Sequence, residues 1–242
     1  SFFRMFYNKF TAYRARLERL YGFLLSTEEK HTARQPDLTE VSDGLILENV
    51  ALYRHNGEVL LDGININLKS GNSLLIRGPS GCGKTSLLRA LAGLWPFGSS
   101  GKVGHPPLQD ILFLPQRPYT AQGSLRDAIC YPNIDKQHPE LIEAMNTCRL
   151  GYLVDKLDKP DDWQHKLSPG ELQRVAFVRA LLSQPKVILL DEATAALDEP
   201  TEAMLYRALK QKLPDSIIIS IGHRSTLNEF HDLCLDVGHV QC

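Results

Sequence analysis

The sequence predicts an α/β fold: a mainly parallel sheet bearing a phosphate-binding turn, an antiparallel β subdomain before it, a helical insert within it, and an amphipathic helix in front. Three observations predict this. First, Gly78-Pro79-Ser80-Gly81-Cys82-Gly83-Lys84-Thr85 fits the pattern Gly, four residues, Gly-Lys-Ser/Thr. The apolar run Leu74-Leu75-Ile76 precedes it and helix formers from Ser86 to Leu94 follow it. Second, Val187-Ile188-Leu189-Leu190 is continuously apolar and ends in Asp191-Glu192, as buried parallel strands end at ligand crevices. Third, Leu45 to Leu68 holds short apolar runs, one strictly alternating, around the hairpin signal His55-Asn56-Gly57.

The chemistry of the first stretch follows from its shape. A glycine-rich turn between strand and helix leaves several backbone N–H groups facing one concavity, and the helix dipole adds partial positive charge. Lys84 can reach the β- and γ-phosphates of a nucleotide, and the Thr85 hydroxyl suits Mg²⁺. The whole is the organisation of a P-loop NTPase core.

Composition bounds the rest. At 242 residues, 43% hydrophobic, 23% charged and net charge −1, the chain can bury a full core, and its global field gives no support to nucleic-acid binding. The five cysteines are scattered without a Cys-x-x-Cys pair, so no metal or disulfide framework is expected and a reducing, cytosolic setting fits. No run approaches the ~18 apolar residues of a membrane span, and no signal peptide is apparent. The chain begins at Ser1 and reads as a piece of something longer.

Residues 1–25 differ from the rest. Phe3, Phe6, Tyr7, Phe10, Tyr13, Leu17, Leu20, Tyr21 and Leu24 share one helical face, with basic residues mostly on the other. Such a basic, aromatic amphipathic helix suits a membrane surface, and equally suits packing on its own domain or a partner. Residues 26–43 are polar and read as a linker, and Trp95 to Pro107 as a surface connection. Ile111-Leu112-Phe113-Leu114 is a second buried strand, ending in Pro115-Gln116. From 117 to about 182 helical patterns dominate. Within them Ser168 and Glu171 form a capping box with Pro169 at the first helical position. The resulting helix start leaves Gly170 and the positive end of the dipole open to an anion, or is simply a well-capped helix. Asp191 is placed to help hold Mg²⁺, and Glu192 to polarise a water attacking the γ-phosphate. Residues 201–212 form a helix and Ile217–Ile221 a strand followed by His223. Tyr53, just before the hairpin, offers a ring for a nucleobase or is an ordinary strand aromatic.

In this order the pieces resemble the nucleotide-binding domain of an ABC transporter, over about residues 44–242. Tyr53 matches the adenine-stacking aromatic, Gly78–Thr85 Walker A, and Gln116 the Q-loop glutamine. Leu167–Glu171, continuing to Gln173-Arg174, matches the signature; Val187–Glu192 matches Walker B and His223 the switch histidine. The flanks Gly93-Leu94-Trp95-Pro96, Asp162-Trp163 and Gly222-His223-Arg224-Ser225 are similar to subfamily D exporters and the related bacterial group. There, residues 1–25 resemble the cytoplasmic end of the last transmembrane helix.

The resemblance implies an ATPase in which two copies close head to tail around two ATP, at the cytoplasmic face of a bacterial inner or organellar membrane. A transmembrane domain of the same longer chain would be the partner, with no nucleic acid. It implies nucleotide contacts at Tyr53, at Gly78, Pro79, Ser80, Gly81, Cys82, Gly83, Lys84, Thr85 and Ser86, and, across the pair, at Ser168, Gly170, Glu171 and Asp198. Thr85, Gln116 and Asp191 would serve Mg²⁺, Glu192 would act as general base, and Lys84, Gln116 and His223 would complete the catalytic set. Two positions depart from the family pattern: Pro169 stands where glycine is usual, removing an N–H, and Ala195 stands where the D-loop commonly carries serine. A soluble ATPase acting on nucleic acid or ribosomes would show a coiled-coil insert or a basic face; neither is present, and the chain beyond residue 25 is net acidic. A catalytically dead, nucleotide-gated interaction domain is disfavoured by the intact Glu192 and His223.

Overall fold

The computed structural model describes residues 37–238 except 133, 136 and 138; the amphipathic segment 1–25 and most of the linker lie outside them. Among the described residues eleven strands form three sheets, accompanied by six α-helices. The strands are β1 (Asp37–Glu40), β2 (Leu45–Tyr53), β3 (Val59–Leu68), β4 (Ser73–Arg77), β5 (Ser99–His105), β6 (Ile111–Leu114), β7 (Gly123–Ser124), β8 (Pro160–Asp161), β9 (Val187–Asp191), β10 (Ile217–Ile221) and β11 (Leu233–Asp236). The helices are α1 (Lys84–Leu91), α2 (Leu125–Cys130), α3 (Leu141–Thr147), α4 (Trp163–Lys166), α5 (Pro169–Ser183) and α6 (Glu199–Lys212).

The main sheet runs β11-β4-β10-β9-β6, every pairing parallel. β4, β9 and β10 are almost wholly buried, which explains their largely apolar sequence. Their side chains alternate between two cores. Leu74, Ile76, Val187, Leu189, Ile217 and Ile219 pack with α1 and the antiparallel sheet. Leu75, Ile188, Leu190 and Ile218 pack with α5, α6 and the helical insert. Helix α1 is therefore covered by both sheets, with Leu87 and Leu88 fully buried.

The second sheet runs β1-β5-β2-β3 and corrects two expectations. Residues 99–105, inside the expected surface connection, are β5, antiparallel to β2. Its sequence SSGKVGH holds one large apolar residue, so no hydrophobic pattern announces it. Its glycines serve close approach: at Gly101 (φ +92°) a Cβ would lie 2.5 Å from the Asn49 carbonyl oxygen. Asn49 itself has φ +50° at an irregularity in the β2–β5 pairing. Residues 37–40, inside the expected linker, form β1, an exposed edge strand parallel to β5; polar composition is how edge strands avoid further pairing.

Helices α5 and α6 start and end within two residues of their sequence patterns, whereas α1 runs from Lys84 and stops at Leu91, three residues before the expected Leu94. The insert is mostly helical as expected, with one small antiparallel pair, β7 and β8. It is tied to the rest by Arg179 of α5, which donates to the carbonyls of Ala128 and Tyr119 at 2.5–3.0 Å. Burial lowers the pKa of this guanidinium to about 10.

Candidate nucleotide-binding site

Gly78, leaving β4, has φ +143°, and a Cβ there would meet the Val237 carbonyl oxygen at 1.9 Å; only glycine passes beside β11 at this point. Gly81 and Gly83 also have positive φ, which curls the loop back on itself before α1 begins at Lys84. Lys84 is 6% exposed, and its ammonium donates to the carbonyls of Gly78 (2.8 Å) and Pro79 (2.7 Å). The next helical residue, Thr85, donates its hydroxyl to Asp191 Oδ1 at 2.9 Å, linking loop helix to the end of β9. Burial raises the Asp191 pKa, partly opposed by the Thr85 hydrogen bond and reinforced by the neighbouring Glu192 charge.

Glu192 follows in the left-handed region, φ +49°, with its N–H donating to the Ile221 carbonyl at 3.1 Å. A non-glycine residue there is strained, and the turn fixes where its carboxylate goes. Gln116 Nε2 donates to Oε2 at 2.8 Å, and His223 Nε2 lies 3.2 Å from Oε1. Three residues from the ends of β6, β9 and β10 thus meet around one carboxylate.

Two buried side chains brace these segments. Gln173 of α5, 2% exposed, donates to the Gln116 carbonyl at 3.1 Å and accepts from the Ala196 N–H at 3.0 Å. Glu202 of α6, also 2% exposed, accepts hydroxyl hydrogen bonds from Thr194 (2.5 Å) and Thr226 (3.0 Å), and Arg224 lies 3.5 Å away. It joins the turn after Glu192 to the loop after His223. Sequence reasoning gave Gln173 only a place in the signature and gave Glu202 none; a glutamate in a helical run carries no sign of burial.

A cleft of about 420 Å³ opens over the loop, lined by Ser80, Gly81, Gly83, Lys84, Thr85 and Ser86, by Glu192 and His223, and by Arg54, His55, Asn56, Leu60, Trp95 and Phe97. Asp191 and Gln116 join it through Thr85 and Glu192. Pro79 and Cys82 line an adjoining hollow with Leu235–Gly238, and Gly78 a third beside Gly222–Ser225. Tyr53, expected to stack on a base, is not among the cleft's described lining residues. Its hydroxyl pairs with Ser100 Oγ on β5 at 3.1 Å. Strand alternation is the reason: Arg54, the next residue, faces the cleft.

The signature residues lie apart from this cleft. Ser168 caps α5 in a full capping box: Glu171 N–H donates to Ser168 Oγ at 3.3 Å, and Ser168 N–H donates to Glu171 Oε2 at 2.7 Å. The Tyr152 hydroxyl also donates to Glu171. Burial raises the Glu171 pKa, but these hydrogen bonds outweigh it and hold the carboxyl below its usual range. Pro169 sits at the first helical position, where no N–H is needed within the helix, and a Cβ at Gly170 would lie 3.2 Å from the Ala196 carbonyl oxygen. Asp198 caps α6, accepting from the Thr201 N–H at 2.8 Å; hydrogen bonding by the Thr201 side chain, and then by this N–H, lowers its pKa.

Comparison with known proteins agrees with this geometry. The family model for the ABC transporter domain matches residues 61–195. An ABC transporter ATP-binding protein of Haemophilus influenzae is 53% identical over 239 residues, covering 98% of this chain and 40% of the relative. ABC transporter D family member 2, chloroplastic, of Arabidopsis thaliana is 40% identical over 237 residues, covering 76% of this chain and 33% of the relative. The chain thus spans well under half the length of these relatives. The solved structure of a bacterial Atm1-family ABC exporter with ATP bound superposes with a TM-score of 0.71 at 24% identity, over 84% of this chain and 40% of that one; it shares the fold. The chain belongs to the ABC transporter family as an ATP-binding domain, homologous to those of the subfamily D exporters.

Proposed function

We propose that this domain binds Mg²⁺-ATP, pairs head to tail with a second copy, and hydrolyses the nucleotide to drive transport by a membrane domain of a longer chain. The observation that carries the hydrolytic reading is the Glu192 carboxylate, held between Gln116 and His223 at the mouth of the phosphate loop. A carboxylate so placed can orient a water and accept its proton as the water attacks phosphorus. His223 then supplies a hydrogen bond to developing charge on the γ-phosphate. Lys84, now resting on two loop carbonyls, exchanges them for phosphate oxygens when a nucleotide enters.

The donor set suits magnesium. Thr85 and Asp191 present hard oxygens 2.9 Å apart, Gln116 is joined to the adjacent Glu192, and the described residues hold no group of three or more His, Cys, Asp or Glu that could hold a metal ion by itself. Mg²⁺ is commonly held by one or two protein ligands together with substrate phosphates. When bound it would neutralise phosphate charge; Thr85 and Asp191 would orient it, and Gln116 would link it to the segment bearing Glu192.

The exposed tip of α5 supports the pairing. Its capped N-terminus does not line this chain's own cleft and suits the terminal phosphate held by a mate. The exporter relatives, longer than this chain, support a transmembrane partner and a place at the cytoplasmic face; among the described residues no helix is long and apolar enough to cross a membrane. Phosphate release tests the hydrolytic assignment. Glu192→Gln is expected to lower turnover at least a hundredfold while ATP still binds, and unchanged turnover would remove Glu192 from the mechanism.

A further inference from the structure

The hollow beside Gly222–Ser225 is not filled by any of the nucleotide contacts proposed above. It encloses about 300 Å³ between Gly78, which leaves β4, and the loop after β10. Arg77 and Arg224 supply its charge, Ser225 a hydroxyl and Asn228 an amide, and no acid lines it among the described residues. His223 lines both this hollow and the nucleotide cleft, so one imidazole borders the two spaces. Both guanidiniums are short of acceptors. No carboxylate or hydrogen bond engages the Arg77 side chain among the described residues. Asp236, its register partner on β11, lines a different hollow. Arg224 Nη1 is buried and completes no hydrogen bond. The acid it faces, Glu202 Oε2 at 3.5 Å, already accepts from the Thr194 hydroxyl, as Oε1 does from Thr226. A buried donor without an acceptor costs free energy, and native structures usually satisfy such a group with a water or an ion.

We propose that this hollow is a second anion site, which binds inorganic phosphate and receives the phosphate severed from ATP before it is released. Two cations against one shared carboxylate leave the hollow electropositive, and the arginine fork matches a tetrahedral oxyanion with two parallel hydrogen bonds. Ser225 and Asn228 can satisfy further oxygens. The binding of phosphate stands on the hollow alone. Its source rests on the hydrolytic reading above: water attacks phosphorus, Glu192 takes the water's proton, ADP leaves with the bridging oxygen, and the freed phosphate passes His223.

Calorimetric titration of the 242-residue chain with inorganic phosphate tests this, the cleft first being filled with Mg²⁺ and a non-hydrolysable ATP analogue. The filled parent is expected to take up phosphate, and Arg77→Gln to bind it about tenfold more weakly. Arg77 does not line the cleft, so the analogue itself should bind that variant within about threefold of the parent. Arg224→Gln should weaken phosphate similarly; it also strips Glu202 of a partner, so Arg77→Gln decides the matter if that variant does not fold. Phosphate that binds only the empty chain belongs to the cleft and overturns the site, as does equal affinity in parent and Arg77→Gln. If the analogue fails to bind, the nucleotide reading fails, and the same comparison on the empty chain still decides the hollow. Turnover at saturating ATP tests the source: added phosphate is expected to slow the parent more than Arg77→Gln. Equal slowing overturns the release role, whereas a parent without turnover overturns the hydrolytic reading and leaves phosphate binding to the titration.

Discussion

Glu192 is held by its backbone as much as by its partners. A left-handed φ of +49° in a glutamate stores about 1 kcal/mol of strain or more, retained because the turn after β9 aims the carboxylate between Gln116 and His223. On the proposed reading, replacing it by glycine removes both strain and the general base. Glu192→Gly is expected to unfold no earlier than the parent in urea, gaining up to about 1 kcal/mol, while phosphate release is abolished; clear destabilisation would show that the turn is unstrained. Ser168 gives the opposite signature. Ser168→Ala removes one orphan N–H's acceptor at the tip of α5 and is expected to cost about 1 kcal/mol in the same assay. Most of these residues were legible because their chemistry is written in short fixed spacings: a lysine after a glycine turn, acids after an apolar strand, a capping box. The side on which Tyr53 lies was not. A ring's identity is visible in sequence, but which face of a strand it takes is not, and here Tyr53 pairs with Ser100 while Arg54 lines the cleft.

The elements most readily read were those whose burial is complete. β4, β9 and β10 are mostly apolar because both faces are covered. β1, β5 and β11 escaped because the hydrophobic effect does little to define them. Two are largely exposed edges of their sheets, and the third is made of glycine and serine in close backbone contact with β2. That contact is testable at Gly101: Gly101→Val must both adopt φ +92° and push Asn49 away, and is expected to destabilise by about 2 kcal/mol or more in urea unfolding. Glu202 tests the coupling between α6 and the two catalytic loops. Glu202→Ala strands the Thr194 and Thr226 hydroxyls and the Arg224 charge, and is expected to cost about 2 kcal/mol. It should lower turnover more than ATP affinity, because Thr194 and Thr226 flank Glu192 and His223 rather than the phosphate loop.

At the scale of the molecule, acid should act in two steps. His231 packs beneath α6, its Nδ1 2.7 Å from the Leu227 carbonyl and its Nε2 2.8 Å from Ser220 Oγ, which also accepts from the Tyr206 hydroxyl. Burial lowers its pKa, so the folded state prefers the neutral ring. That preference contributes fully above the unfolded value of about 6.5 and is lost as pH falls below it towards the folded value. Thermal stability is therefore expected to decline as pH drops through about 6, and His231→Asn should flatten that part of the profile. The carboxylates whose pKa values are lowered, Asp198 and Glu171 among them, act only in the more acidic window below about pH 4. The molecule's larger claim concerns two copies: the lysine turn of one and the serine-capped helix tip of the other close on one triphosphate. Sedimentation of the Glu192→Gln chain with and without Mg²⁺-ATP measures this directly. The account predicts a dimer that forms only with nucleotide and is weakened by adding Ser168→Ala; a chain that binds ATP yet stays monomeric at high concentration would contradict it.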